Sequence, residues 1–446
     1  MRPTSYDIVE VAVVFFLILI SGYNVSADSS SFDNRNSKRK AFHEKAEKGV
    51  KGPVIGYQIS WKEGFHLESL KKNVKIKIGG KMIVDGGDID ADDEMQRTFP
   101  ELNAHDADFR NLSLDIFGTF YDTLYGRFEI DFDNLSDVKD NWIQFLKIPY
   151  LKHIKIGHMK EPFSLEEQTG LNSITFMERA LPVQAFSPGR NIGIRYDHPV
   201  SDNPINWSAG LFLNTGSFGS VADWRNQIRD ANGFNLTTRI TAVPWYEQEG
   251  RKLLHLGLSY THGFRDAEDI TFKTRPGSRL TDETLVNTGR FQADGFDKIS
   301  AELAVVSGPL SFQGECFYTS TNASSKGDPE FWGAYAYLSY FLTGEHRKYK
   351  RSRGTFSLGE EHYRFRPRKG GWVAWELGLR YSYLDLNGSD IKGGKESNFT
   401  AGVNWYQRQN IRIMFNYIHA HVEDRASPSI ENGRADILQL RFQIIF

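Results

Sequence analysis

Between Trp375 and Tyr417 the chain reads WELGLRYSYLDLNGSDIKGGKESNFTAGVNWYQRQNIRIMFNY, and apolar residues recur there at every second position. Trp375, Leu377, Leu379, Tyr381 and Tyr383 share one parity, against Glu376, Arg380 and Ser382 on the other. Phe399, Ala401, Val403 and Trp405 follow, then Ile411, Ile413, Phe415 and Tyr417. A period of two belongs to strands, whose side chains point alternately to opposite faces. Working outward, the same scheme sets Ile76, Ile78, Met82 and Val84 against Lys75, Lys77 and Lys81. It sets Leu112, Leu114, Ile116 and Phe120 against Asn111, Ser113, Asp115 and Thr119, and Phe128, Ile130 and Phe132 against Arg127, Glu129, Asp131 and Asp133. Trp207 to Leu213 and Leu254 to Tyr260 continue it, and no long helical segment competes.

Composition agrees. Of 446 residues, 13% are aromatic and 40 are glycine, a balance that favours strands and tight turns. Lys and Arg number 54 against 56 Asp and Glu, so the total charge gives no nucleic-acid footprint. The single cysteine, Cys316, excludes an internal disulfide framework and any zinc site that needs two thiolates. No Gly-x-Ser-x-Gly elbow, P-loop or HExxH occurs. The acidic run Asp85 to Glu94 opens like a calcium loop but has Asp93 where glycine is needed and Phe99 where glutamate is needed, so a solvated loop is expected.

A soluble sandwich also alternates, and three features separate a lipid-facing barrel from it. The apolar parity ends repeatedly in aromatics (Trp207, Tyr260, Tyr383, Trp405, Tyr417), as at the two membrane interfaces. Near the carboxyl end, polar stretches at Asn387 to Lys395 and His421 to Ala435 flank a five-residue turn at Tyr406 to Asn410, which predicts long loops on one side and short turns on the other. The sequence closes on Leu438, Leu440, Phe442, Ile444 and Phe446, a strand whose final aromatic resembles the signal read by the bacterial barrel-assembly machinery. Outer-membrane lipid is the expected surroundings of the apolar face.

At the amino end, Val11 to Ile20 is an unbroken apolar run preceded by Arg2 and followed by Ser21, Gly22 and Val25-Ser26-Ala27. Ten residues at about 1.5 Å each span only about half of a hydrocarbon core, so residues 1–27 are expected to be a signal peptide for export. Residues 28–70 are expected to form a polar periplasmic linker or short helix, and residues 71–446 the barrel.

Four long segments carry a family resemblance: ADFRNLSLDIFGTFYDTLYGRFEIDFDN (Ala107 to Asn134), IKIGHMKEPFSLEEQTGLNSITFMERALPVQAFSPGRNIGIRYDH (Ile154 to His198), YLSYFLTGEHRKYK (Tyr337 to Lys350), and GWVAWELGLRYSYLDLN (Gly371 to Asn387) with GVNWY after it. From about Lys75 onward the chain resembles the phosphate-selective porin O and P family. The resemblance implies an all-β fold, a 16-stranded antiparallel transmembrane β-barrel of the outer membrane, assembled as a homotrimer around a constricted, positively lined pore. The length is compatible, since about 375 residues after Lys71 give each of 16 strands about 23 with its connection. The carry-over is partial. Lys81 stands where the family places arginine after the Gly79-Gly80 pair, Asn111 replaces the second of two arginines after Phe109, and Asn172 replaces a ligand lysine. Arg179 and Asp133 are retained.

Parity places Lys75, Lys77, Lys81, Arg127, Lys155, Arg195, Arg239, Arg380, Arg412 and Arg441 inside the barrel, with Asp115, Glu129, Asp131, Asp133, Glu302, Glu315 and Glu376. Arg110 falls on the apolar parity with Leu112 and Leu114, where it would snorkel. A loop over Leu165 to Asn191 carrying Arg179 and Arg190 is expected to narrow the pore. The expected anion-binding and pore-lining set is therefore Lys75, Lys77, Lys81, Arg127, Asp133, Arg179, Arg190 and Arg195. His346 to Lys369 carries nine bases, among them Arg347, Lys348, Lys350, Arg351 and Arg353, against two acids. An anion-attracting vestibule is the expectation there, and a solvated turn facing acidic lipid the bland alternative.

Passive diffusion of small anions, phosphate-like ones first, is the functional reading, with no cofactor and no enzymatic activity. The alternatives are a general or solute-specific porin without phosphate preference, and a secreted β-rich carbohydrate-active enzyme using Glu129 and Asp131 as its carboxylate pair.

Overall fold

The computed structural model describes residues 56–446 apart from 62–63, 103–104, 134–136, 150–152, 199–203, 216–230, 232, 358–373 and 409. The expected signal peptide and most of the expected linker lie outside the described residues. The end of that linker is not a linker: β1 (Tyr57–Trp61) and β2 (Phe65–Ser69) form a hairpin, and β2 pairs with residues 75–78 of β3 (Val74–Ala91). Its short apolar alternation, Tyr57, Ile59 and Trp61 against Phe65 and Leu67, is a strand signal hidden beside a charged stretch.

Beyond the hairpin the chain runs through β3, β4 (His105–Phe120), β5 (Leu124–Asp131), β6 (Asp137–Phe145), β7 (His153–Lys160), β8 (Arg190–His198), β9 (Ile205–Leu213) and β10 (Phe234–Glu247). It continues through β11 (Lys252–Ile270), β12 (Lys273–Thr274), β13 (Val286–Asn287), β14 (Phe291–Ser307), β15 (Leu310–Asn322), β16 (Glu330–Phe341), β17 (Tyr349–Lys350) and β18 (Thr355–Phe356). The last strands are β19 (Ala374–Gly388), β20 (Ile391–Arg408), β21 (Ile411–Ala426) and β22 (Ser429–Ile445). Without β1, β2 and the four two-residue strands, sixteen remain. Each pairs antiparallel with the next, and β22 returns to β3, so the sheet closes into a barrel with no free edge along its wall. Among the described residues, three α-helices of at most six residues, α1 (Asp93–Thr98), α2 (Leu165–Gln168) and α3 (Leu181–Phe186), lie in connections. Among the described residues no helix is long and apolar enough to cross a membrane, so the strands form the wall.

The outward parity is apolar and bare. Ile194, Leu211, Leu258, Leu338, Leu379 and Leu440 are each about half exposed, an arrangement that water would penalise and hydrocarbon favours. The inward parity buries polar groups, for example Thr237, Ser300, Thr319, Thr400 and Asn416. The buried apolar cluster is therefore inside the barrel: Phe163, Phe176 and Phe186 from connection 161–189 meet Phe272, Leu285 and Val286 from connection 271–290, against Phe291, Phe317 and Phe331 of the wall.

Three sequence expectations are corrected here. The acidic run Asp85 to Glu94 is not a solvated loop: Asp85 to Ala91 belong to β3, with Asp85 buried, and Asp93 and Glu94 open α1. The polar stretches near residues 387–395 and 421–435 are not long loops. The strands run through them to two-residue turns at Ser389-Asp390 and Ser427-Pro428, because the strand ends beyond the apolar belt are polar on both faces and lose the period. Arg110 does not snorkel outward. The pairing of β3 with β4 slips between Ile83 and Val84, leaving one extra residue on β4, so Arg110 turns inward beside Asn111.

Gly157 of β7 illustrates how tightly the wall is set. Its φ is +133° and an added Cβ would lie 2.3 Å from the Asn141 carbonyl oxygen. Gly157→Ala is expected to cost on the order of 1–3 kcal/mol, which would appear as a lower temperature for loss of the compact band when detergent samples are heated before electrophoresis.

Candidate functional site

The barrel encloses a cavity of about 1710 Å³. Its lining comes from β3 to β10 and from three connections that fold inward: 161–189, 271–290 and the strap 342–357. The inward groups of the opposite wall do different work. Glu315 accepts the backbone N–H groups of Leu165 (2.9 Å) and Glu166 (2.8 Å) at the start of α2, and the Tyr335 hydroxyl at 2.5 Å. Arg412 donates to the carbonyls of Ile174 (2.8 Å) and Thr175 (3.1 Å), and Arg380 to that of Glu178 (2.8 Å). Arg441 forks onto Asp85 at 2.7 and 2.6 Å and also reaches the Met177 carbonyl at 2.5 Å and Glu178 at 2.8 Å. Each fixes backbone that a loop inside a barrel would otherwise leave unpaired. Parity could say that these side chains point inward but not that a loop covers them.

On the open wall, bases and acids interlock. Lys81 bonds Glu129 at 2.6 Å and lies 3.5 Å from Asp115. Arg127 contacts Asp115 at 2.9 Å, Glu129 at 3.0 Å and Asp140 at 2.5 Å, and Arg190 reaches the same Asp140 at 3.1 Å. Beside this knot, Arg179 pairs with Glu167 at 3.0 Å, which also takes Lys160 at 3.2 Å. Burial alone would raise the Glu167 carboxyl, but Arg179 and Lys160 hold it below the ordinary range. Arg195 bonds Asp197 at 2.5 Å, and Lys75 lies 3.9 Å from Glu68. Glu129 and Asp131 are thus not a free carboxylate pair: Asp131 accepts from Asn111 and from the Leu112 backbone at 3.0 Å and lies 3.6 Å from Lys139.

Seven of the eight expected lining residues face the cavity: Lys75, Lys77, Lys81, Arg127, Arg179, Arg190 and Arg195. Asp133 does not line it, because β5 ends at Asp131 and the alternation of parity stops with the strand. The expected vestibule is instead a strap that enters the lumen. Lys348, Lys350 and Arg353 line the cavity. Arg347 is buried over the Phe356 ring at 3.7 Å and donates to Gln313 at 3.0 Å, while Arg351 stacks over Tyr246 at 4.8 Å. The strap is held by Gly354, whose carbonyl accepts from Arg239 at 2.9 Å, and by Tyr349 and Phe356 packed on Leu165. Arg364, Arg366, Arg368 and Lys369 of the same run lie outside the described residues.

Sequence reasoning missed Arg110, Lys139, Lys160, Lys273, Arg275 and Arg279, all lining. Arg110 was hidden by the bulge, and the last three lie in a connection without period. Arg279 is crowded by Arg110 and by burial, and its guanidinium is pushed down to about 10, still charged at neutral pH. Among the described residues, 18 Lys and Arg side chains line the cavity against eight Asp and Glu, an excess of ten in a chain whose net charge is −2.

A closed 16-stranded barrel with a bare apolar belt and a wet, charged lumen is an outer-membrane porin, a channel rather than an enzyme. Residues 76–446 match the family described as phosphate-selective porin O and P, and the chain belongs to that family. It is 24% identical over 434 residues to Porin O of Pseudomonas aeruginosa, covering 87% of this chain and 92% of that protein. It is 27% identical over 390 residues to an uncharacterized protein of Caulobacter vibrioides, covering 85% and 74%. Among solved structures it resembles OprB of Pseudomonas putida, with a TM-score of 0.51, 10% identity and coverage of 84% and 95%, and OmpF of Salmonella typhi, with 0.50, 10%, 87% and 100%.

Proposed function

We propose that this porin conducts small anions, phosphate and related oxyanions foremost, down their gradient across the outer membrane. The observation that carries the reading is the lining excess of ten positive side chains. Charge gathered within low-dielectric walls focuses the field and raises the local anion concentration. Lys and Arg donors at several weak sites can replace hydration without trapping the ion. The set Lys75, Lys77, Lys81, Arg127, Arg179, Arg190 and Arg195, with Lys348, Lys350 and Arg353 of the strap, would carry the anion past the narrowing loop. The same reading takes the protein as a homotrimer, exported by its amino-terminal signal and recognised through the Phe446 strand by the barrel-assembly machinery.

A porin of the same build without phosphate preference is the second reading. What favours it is that Asn111 and Asn172, at positions where the family carries basic residues, bring no charge to the lumen. Purified protein in a planar bilayer separates the two. Reversal potentials in a salt gradient are expected to show anion selectivity, and millimolar phosphate is expected to reduce chloride current. Anion-selective steps without phosphate block would keep the anion channel and remove the phosphate preference. Cation-selective steps, or none from folded protein, would defeat the proposal.

A further inference from the structure

The open wall holds more than charge. In register across five adjacent strands, Lys77 of β3 lies opposite Phe117 of β4, Phe117 opposite Arg127 of β5, Arg127 opposite Trp142 of β6, and Trp142 opposite Gly157 of β7. The row therefore reads base, ring, base, ring, gap, one residue level toward the short-turn end from the Lys81–Glu129–Asp140 knot. All four side chains line the cavity. The Arg127 guanidinium lies 5.1 Å from the Phe117 centroid and the Lys155 ammonium 4.3 Å from that of Trp142, and Tyr125 stands edge-on to Trp142 at 5.5 Å. Gly157 leaves open the space beside Trp142, since a Cβ there would lie 3.1 Å from the Trp142 Cβ.

Rings in this position are not explained by transport of a bare oxyanion. An aromatic face is the negative side of the ring quadrupole and offers an inorganic anion nothing. Cation–π contact accounts for a ring beside Lys155 and a ring beside Arg127, but an all-polar wall would offer a passing anion more donors. Phe117 and Trp142 are also only partly buried, so part of each ring surface meets the lumen. A solute that uses both components has an anionic group for Lys77, Arg127 and Lys155 and a planar ring to lie against Trp142 or Phe117. The cavity, about 1710 Å³, exceeds the roughly 300–1,000 Å³ that a drug-sized ligand needs.

We infer that the Phe117–Arg127–Trp142 row is a binding site for organic phosphates that carry a planar ring, of which a nucleoside monophosphate is the simplest probe. This inference rests on the anion-channel reading and adds the solute class to it. Base–aromatic stacking is worth about 1–3 kcal/mol, which is about tenfold or more in affinity.

The test measures block of chloride current in planar bilayers by adenosine monophosphate, ribose 5-phosphate and inorganic phosphate. Ribose 5-phosphate keeps the sugar and the phosphate charge without the planar ring. The expected result is half-block by adenosine monophosphate at a concentration about tenfold below that of ribose 5-phosphate, with the gap closing in both Trp142→Leu and Phe117→Leu. Equal block by the two esters in the wild type would overturn the ring site while leaving the anion channel intact. A gap that survives both substitutions would place the ring elsewhere and overturn the assignment to this row. Absence of anion selectivity with every solute would instead sink the underlying channel reading. If one variant fails to fold, the other decides the assignment to this row, and the wild-type comparison alone decides whether a ring site exists.

Discussion

Arg441→Ala is expected to release the narrowing loop and to raise single-channel conductance in a noisy, multi-level fashion. The side chain is fully buried and donates to Asp85, Glu178 and the Met177 carbonyl. Its removal leaves two buried carboxylates facing each other without their shared cation, and breaking such a group costs about 3–5 kcal/mol. Glu178 retains Arg110, which bonds it at 2.5 Å, so the carboxylate stays ionised rather than taking up a proton. Burial alone would raise the Glu178 carboxyl, but Arg110 and Arg441 together hold it well below the ordinary range. The repulsion after Arg441 is lost therefore has no cheap exit except movement of residues 177–179 away from the wall. Arg441→Lys should not rescue, because one ammonium cannot fork onto Asp85 and still reach the loop. Unchanged, quiet conductance from Arg441→Ala barrels would show that the loop is held by its other anchors, Glu315, Arg380, Arg412, Ser382 and Asn404 among them.

Lys81→Ala is expected to weaken phosphate block about tenfold and to lower the chloride-over-potassium permeability ratio severalfold. Among the described residues, Lys81 is the only ammonium bonded to Glu129, and it also lies near Asp115. Without it, two carboxylates in the lumen are left to share Arg127, and the local balance moves toward the negative. A tenfold change corresponds to about 1.4 kcal/mol, modest for a charge removed at contact distance inside low-dielectric walls. Raising the salt concentration should shrink the difference between wild type and variant, because the Debye length falls from about 10 Å at 0.1 M to about 3 Å at 1 M. Identical selectivity at low salt would mean that Lys81 serves only to neutralise Glu129.

What could be read from the sequence follows from where periodicity persists. The lipid belt forces apolar residues on every strand, so the strands and their inward faces were legible from Lys75 to Phe446. Lys81, Arg127 and Arg195 were found by that logic. Periodicity fails in three physical situations. At the strand ends, water bathes both faces, and residues 387–395 and 421–435 looked like loops. At the bulge, one extra residue inverted Arg110. In connections that fold inward, side chains answer to tertiary neighbours rather than to a pleat, so Arg279 was missed and the basic strap around Lys348 was given a place at a mouth. Inward direction also proved insufficient for function: Arg380, Arg412 and Glu376 point into the barrel as expected, yet they anchor a loop. The resemblance supplied the strand number and the narrowing loop, which alternation could not.

Among the pairings of the barrel wall, fifteen join consecutive strands, while β22 with β3 joins residues as remote as Lys81 and Ile445. Arg441 and Asp85 straddle that seam, 356 positions apart. Hairpins along the rest of the wall can form from neighbouring chain, at low contact order. The seam alone carries the entropy of closing a ring of several hundred residues, which the logarithmic dependence on loop length puts at about 5 kcal/mol. The largest closure entropy of the wall thus falls on one line of the barrel, and Arg441, which joins this line to Asp85, also bonds the loop that folds into the lumen. A barrel whose seam had not yet zipped would be a wide, ungoverned hole. One guanidinium thus couples closure of the wall to the placement of the loop inside it.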